Sequence, residues 1–198
     1  AGRWRTALAP DSVITDVAST KSALVLRATA LGLRFVGGHP MAGREESGYG
    51  AATGDLFVDR PWVVVPGGDE PAAARVEALA RAVGARPVRL SARAHDDAVA
   101  GISHLPLLVA AALVETVAGS PDGPRAGWSE ARVLAAGGWR DTTRLARGDV
   151  SMGTGIMVTN GSPVAARVRD LIATLASWAD ELERPGGPDP DVVGRRLA

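Results

Sequence analysis

The sequence predicts an α/β first half followed by an all-α second half, on three observations. Short continuous apolar runs alternate with helical spacing as far as about residue 91; strand patterns then cease; beyond them only helical periods separated by turn compositions remain. The expected domains are therefore 1–91 and 92–198, and 46% apolar content over 198 residues is enough to give each a core.

The strand candidates are "SVITDV" (12–17), "RFVGG" (34–38), "PWVVVP" (61–66) and "RPVRL" (86–90), runs without alternation that suit strands covered on both faces. Between them "STKSALVLRATALG" and "DEPAAARVEALARAVGA" carry helical spacing, with Ser19 and Asp69 placed as N-caps and Gly32 and Gly84 as C-terminal stops. Strand and helix in alternation predict a mostly parallel sheet. The opening "AGRWRTALAPDS" reads as a helix already under way before a late strand. In the second half, 94–118, 128–136 and 163–183 read as helices, punctuated by "GSPDGPRAG", "GG" and "TNGS", and the tail "RPGGPDPDVVGRRLA" as a loop leading into a further element.

Composition narrows the function classes. Acidic and basic residues balance at 22 each, so no global field favours nucleic acid or an anionic membrane. The chain has no cysteine, which removes thiolate chemistry and cysteine-ligated zinc. Apolar runs such as "LPLLVAAALVETVAG" fall short of the roughly 20 residues of a membrane span, and no signal pattern opens the chain. A cytoplasmic protein that engages neither nucleic acid nor membrane is the expectation. Lys21 is the only lysine in a chain rich in arginine.

Four stretches could carry chemistry. In "VITDVASTKS" a strand ends at Asp16 and enters a helix through Ser19, either an ordinary cap or a hydroxyl facing a ligand beyond the strand end. In "FVGGHPMAGREESG", His39 follows Gly37 and Gly38, which permit close approach of a backbone or a flat cofactor. It either bonds its own turn or is presented to a ligand, with Glu45 and Ser47 on the surface or on the same rim. In "HDDAVAGISHLP", His95 and His104 are nine residues apart and should face opposite ways on an unbroken helix, whereas Asp97 and His104 share a face. That opposition weighs against a metal hydrolase, so no metal is expected. In "GGWRDTTRLARGD", Arg140 and Arg144 at i, i+4 form either a solvated surface pair or a grip for a carboxylate.

A dinucleotide-binding domain normally opens with a G-x-G-x-x-G turn between a strand and a helix, and none occurs here. Even so, "VITDVASTK", "FVGGHPMAGREESG", "LFVDRPWVVVP", "HDDAVAGISHLP" and "GGWRDTTRLARGD" follow one another in an order and spacing that resemble the prephenate and arogenate dehydrogenase family of tyrosine biosynthesis, from about residue 12 to 150. The resemblance implies a partial Rossmann-like parallel sheet lacking its N-terminal glycine-rich part, and a C-terminal helical domain that forms a homodimer. It implies NAD as cofactor, with NADP as the neighbouring choice, and prephenate or arogenate as substrate.

It also implies roles for residues. His39 corresponds to the family's catalytic histidine, and Ser19 to the serine that orients it and touches substrate and nicotinamide. His104 corresponds to a pocket-lining histidine and Arg144 to the arginine that binds the ring carboxylate; Glu45 and Ser47 would join the substrate side, Gly37 and Gly38 the cofactor side. Leu107 departs from the family's second histidine, Arg44 from a frequent threonine, and "DVSMGTG" from an aspartate-proline-containing run. The expected activity is NAD(P)-dependent oxidative decarboxylation of prephenate to 4-hydroxyphenylpyruvate. The alternatives are arogenate as substrate, or a non-catalytic dimerisation fragment of such an enzyme.

Overall fold

The computed structural model describes residues 8–43, 48–120 and 122–198. The helix read at the start of the chain, and Arg44, Glu45 and Ser47, therefore lie largely or wholly outside the described residues. Four strands, β1 (Ile14–Thr15), β2 (Phe35–Pro40), β3 (Pro61–Val65) and β4 (Arg86–Arg89), form one sheet in that spatial order. Helix α1 (Ser22–Ala30) joins β1 to β2 and α2 (Glu70–Ala82) joins β3 to β4, and both strand pairs are parallel, as helical crossovers require.

The middle pair departs from the parallel expectation. β2 and β3 run antiparallel, with His39 opposite Val63. Among the described residues their connection holds a 3-10 turn (Tyr49–Ala51) and no crossover helix. β3 is buried almost throughout, as its apolar run predicts, but β4 is mostly exposed. It pairs on one side only, and an edge position suits its Pro87.

The core lies between the sheet and α2. Val36, Trp62 and Val64 pack against Ala72, Ala73, Val76 and Ala80, so the alanine-rich face of α2 sits close to the sheet. Asp69 caps α2, its Oδ1 accepting from the Ala72 amide at 2.9 Å, and Gly32 and Gly84 take left-handed φ values of 61° and 79° after α1 and α2. Arg34, just before β2, clamps the same aspartate with a 2.7 Å Nε contact.

Beyond Ser91, which caps α3 (Ala92–Val99), the chain is helical. A π-helical turn (Ala100–His104) leads into α4 (Leu105–Ala118), and a two-residue hairpin pair, β5 (Gly119–Ser120) with β6 (Gly123–Pro124), follows. Then come α5 (Trp128–Leu134), α6 (Gly137–Thr143), a 3-10 turn (Arg144–Arg147), α7 (Val150–Thr159), α8 (Gly161–Leu182) and α9 (Pro190–Leu197). The sequence reading missed α6 and α7, whose glycines and exposed apolar residues blur the helical period, and left the final helix as an unfinished element. Residues 92–118 form one continuous helix, long and apolar enough to cross a bilayer by length and composition alone. That corrects the count of short apolar runs, because "AVAGISH" joins the following apolar run in the same helix. On the polar end His95 and Asp96 are nearly inaccessible, as is His104 further along, whereas Arg93 is exposed and Asp97 half exposed.

Candidate functional site

The site forms where the ends of β1 and β2 meet α3. Asp16, just past β1, accepts the Gly38 amide through Oδ1 at 2.9 Å and the Ala18 amide through Oδ2 at 3.1 Å, and it pairs with the ammonium of Lys21. Lys21 is completely buried and also donates to the Gly38 carbonyl at 2.6 Å. Burial pulls its pKa below the ordinary lysine value, against the opposing pull of Asp16 and Asp96. The lone lysine is thus a clamp across two strand ends.

This clamp explains the paired glycines. A Cβ at Gly38 would stand 2.4 Å from the Asp16 carbonyl oxygen and 3.1 Å from the Trp62 indole nitrogen; one at Gly37 would stand 3.2 Å from the Lys21 side chain. Gly37 and Gly38 are buried, and the close approach they allow is that of Lys21 and Asp16. Of the two partners expected for such a close approach, a backbone or a flat cofactor, the chain's own backbone and Lys21 side chain are the ones present here.

From the helical half, Asp96 reaches the start of α1. Its Oδ1 accepts the Lys21 amide and its Oδ2 the Ser22 amide, each at 2.8 Å. These are amides that a helix leaves unpaired at its first turn, so Asp96 does from another element what Ser19 was expected to do as N-cap. α1 begins at Ser22, three residues after Ser19. Asp96 Oδ1 also lies 2.8 Å from His95 Nδ1. Burial alone would raise the Asp96 carboxyl, but hydrogen bonds from His95, Ser22 and Lys21 outweigh it and hold the group well below the usual carboxylate range.

His39 belongs to β2 itself rather than to a loop beyond it, and its ring turns to the helical half. Its Nδ1 lies 2.7 Å from His95 Nε2, with the rings edge to face at 73°. The other ring nitrogen makes no hydrogen bond among the described residues. Burial, and then the neighbouring His95, Lys21 and His104, lower the His39 pKa to about 4, with Asp16 opposing. At neutral pH the imidazole is uncharged and able to accept a proton.

His104 joins the same cluster. The Asn160 amide nitrogen stands 2.9 Å from the Asp96 carbonyl and 3.0 Å from His104 Nδ1, so it bridges the two. Burial lowers the His104 pKa, and His95 adds to the effect. His95 and His104 do not face opposite ways, because the π-turn between them contains one residue more per turn than an α-helix and rotates His104 inward. Pro106, which leaves the Ile102 carbonyl without its α-helical donor, is the local cause. Asp97, predicted to share a face with His104, is half exposed; the functional neighbour is Asp96.

The other predicted residues lie apart from this cluster. Ser19 is half-buried in the β1–α1 turn, makes no hydrogen bond to His39, and lines a cleft of about 380 Å³ with Leu24, Met152 and Ile156. The residue that meets the His39 ring is His95. Next to Ser19, the Thr20 hydroxyl bonds that of Thr159 on α7 at 2.8 Å, closing one side of the cleft. Arg140 lies exposed on α6 and Arg144 exposed at the start of the 3-10 turn, so the two do not share a helix. Among the described residues, no group of three histidines and carboxylates is arranged to hold a metal ion.

Sequence reasoning missed Asp96, His95 and Asn160 as partners of His39 and His104. The one signal was the adjacency of His95 and Asp96 next to a cap position.

Comparisons with known proteins agree on one family. Residues 3–89 match the model described as prephenate dehydrogenase, nucleotide-binding domain, and residues 91–189 the model described as prephenate dehydrogenase, dimerization domain. The prephenate dehydrogenase of Bacillus subtilis is 35% identical over 168 residues, which covers 82% of this chain and 44% of that protein. The chain thus spans about half the length of the curated relatives it matches. Among solved structures, Synechocystis arogenate dehydrogenase superposes with a TM-score of 0.70 at 35% identity, covering 86% of this chain and 61% of that one. The prephenate dehydrogenase of Aquifex aeolicus, solved in complex with hydroxyphenyl propionate and NAD+, gives a TM-score of 0.74 at 31% identity, covering 86% and 59%.

Proposed function

This chain belongs to the prephenate dehydrogenase family, and from that premise we propose that it carries the substrate-oxidising half of an NAD-dependent dehydrogenase that converts prephenate to 4-hydroxyphenylpyruvate. The observation that carries this is His39: neutral at neutral pH, bonded to His95 through one nitrogen, and unspent at the other. Oxidising a ring alcohol requires its hydroxyl proton to be drawn off as hydride leaves the same carbon, a task for a neutral imidazole worth about 100- to 10,000-fold. Loss of the ring carboxylate as carbon dioxide then makes the ring aromatic, so the electrons of the breaking bond have a sink.

NAD, when bound, supplies the hydride acceptor. The place for it is the C-terminal end of β1, where ligands of parallel sheets bind. There Ser19 offers a hydroxyl without a hydrogen bond among the described residues, on a cleft lined by Val17, Leu24 and Met152. A polar group beside an apolar wall suits the carboxamide and ring of a nicotinamide, so Ser19 is the residue that would hold that end. NADP remains the alternative cofactor.

His104 and Arg144 would complete the substrate side, with Arg144 gripping the ring carboxylate, and Glu45 and Ser47 remain candidates for its rim. Arogenate is the second substrate reading, favoured by the Synechocystis likeness. Two domains meeting at residues 91 and 92, where Ser91 caps α3, agree with the two matched family models. The helical half leaves Ile102, Val150, Val158 and Ile172 from 60% to 82% exposed, an apolar surface suited to a second copy in a homodimer. The enzyme would act in the cytoplasm.

The test is to follow reduced cofactor with the complete gene product, pairing prephenate and arogenate each with NAD and NADP. Turnover of prephenate with NAD is expected; no turnover with any pair would remove the reading. Titration calorimetry of this chain with NAD and NADP separates a catalytic half, which binds in the micromolar range, from a dimerisation fragment that binds neither.

A further inference from the structure

We propose that Asp96 and His95 are positioning residues for His39: the series Asp96 carboxylate, His95, His39 fixes the His39 tautomer so that Nδ1 carries the proton and Nε2 presents the lone pair that receives the substrate's hydroxyl proton. This rests on the reading of His39 as the base. Each link follows from donor chemistry. An ionised carboxylate only accepts, so His95 Nδ1, 2.8 Å from Asp96 Oδ1, carries a hydrogen. In the neutral ring His95 Nε2 is then the acceptor, and His39 Nδ1, 2.7 Å away, is the donor. His39 Nε2 is left as a lone pair.

The reverse order needs an extra proton on His95 Nε2. That imidazolium would be fully buried beside the Lys21 ammonium, with Asp96 and Asp16 as the opposing carboxylates among the described residues. Asp96 is suited to the task because its place is fixed independently, by the Lys21 and Ser22 amides at the head of α1. When the substrate yields its proton, the O–H bond breaks, the new N–H bond forms at His39 Nε2, and the resulting imidazolium keeps its Nδ1–H on His95. The positive charge then lies one ring away from the Asp96 carboxylate. The logic is that of a carboxylate holding a catalytic imidazole in one tautomer, where the amide variant costs about 10,000-fold in a serine protease.

Asp96→Asn tests the order of the chain. With its amide nitrogen in the place of Oδ1, the asparagine would give up the Lys21 amide bond, donate to His95 Nδ1, turn His95 Nε2 into a donor, and leave His39 with a proton on Nε2. In the complete enzyme kcat should fall at least about 100-fold with KM within about threefold. His95→Gln can accept from His39 and donate to Asp96, so it should keep kcat within about tenfold of wild type, whereas His95→Leu should lose about 100-fold. The chain has three histidines, so imidazole nitrogen NMR reads the tautomer directly in the protein without ligands. A wild-type His39 protonated on Nε2 overturns the proposal even if Asp96→Asn fails to fold, as does equal turnover for His95→Gln and His95→Leu. If the tautomer is as expected but His39→Asn leaves turnover of the complete enzyme intact, it is the reading of His39 as base that fails. If His39→Asn abolishes turnover while the tautomer is reversed, the positioning role alone fails.

Discussion

The junction of β1, β2 and α3 and the outer surface of α6 to α8 are built on opposite terms. At the junction Lys21, His95, Asp96, His104 and Asn160 are almost wholly buried, and each has a named partner at hydrogen-bond distance. On the outer surface Arg140 and Arg144 stand exposed, and Val150, Val158 and Ile172 lie uncovered. Low dielectric at the junction makes every unpaired group costly, so geometry there is held tightly. The outer surface carries no such constraint. The proposed proton-handling groups are thus buried and mutually bonded, while the arginines proposed for a carboxylate lie at the surface.

Mutation should expose that contrast in graded steps. His39→Asn in the complete enzyme is expected to lower kcat by about 100- to 10,000-fold while KM changes little, as read by steady-state kinetics. Lys21→Met leaves Asp16 without its buried cation and should cost about 3 kcal/mol of unfolding free energy in a denaturant titration, the lower end for breaking a buried pair because two amides still serve the carboxylate.

The same glycine substitution should have opposite signs in the two regions. Gly38→Ala drives a methyl into the Asp16 carbonyl, where backbone cannot yield, and should destabilise by about 1–3 kcal/mol. Gly155→Ala, inside α7 with nothing within 4 Å of the new Cβ, should stabilise by about 0.5–1 kcal/mol. Equal effects would mean that the junction is no more tightly held than the surface. Arg144→Ala should raise KM about tenfold, about 1.4 kcal/mol of binding, with kcat kept. An unchanged KM removes Arg144 from the carboxylate role.

The same difference explains what the sequence made legible. Local signals sufficed for the α/β half: β3 reads as buried because Trp62 to Val65 are apolar without interruption, and Asp69, Gly32 and Gly84 punctuate helices through chemistry that acts within a few residues. The antiparallel return of β3 was hidden because no local signal in β2 or β3 sets the direction in which one strand meets the other. Ser19 was misplaced as a cap because the cap, Asp96, arrives from 75 residues away along the chain. His39 was legible as a presented residue, but its partner was not. His95 lies 56 residues on, and its facing depends on a π-turn that the regular helical period does not anticipate.

A pH titration of the three imidazoles by NMR tests most directly whether the junction makes His39 a neutral base. An ordinary imidazole titrates near 6.5. Burial, and then the neighbouring His95, Lys21 and His104, should hold His39 uncharged until the pH nears 4. Since the folded value lies below the unfolded one, its contribution to stability is complete above about 6.5 and is lost as pH falls toward 4, a slope that His39→Asn should flatten. Protonation of His39 near 4 with that loss is the predicted result; protonation near 6.5 in the folded chain would contradict it.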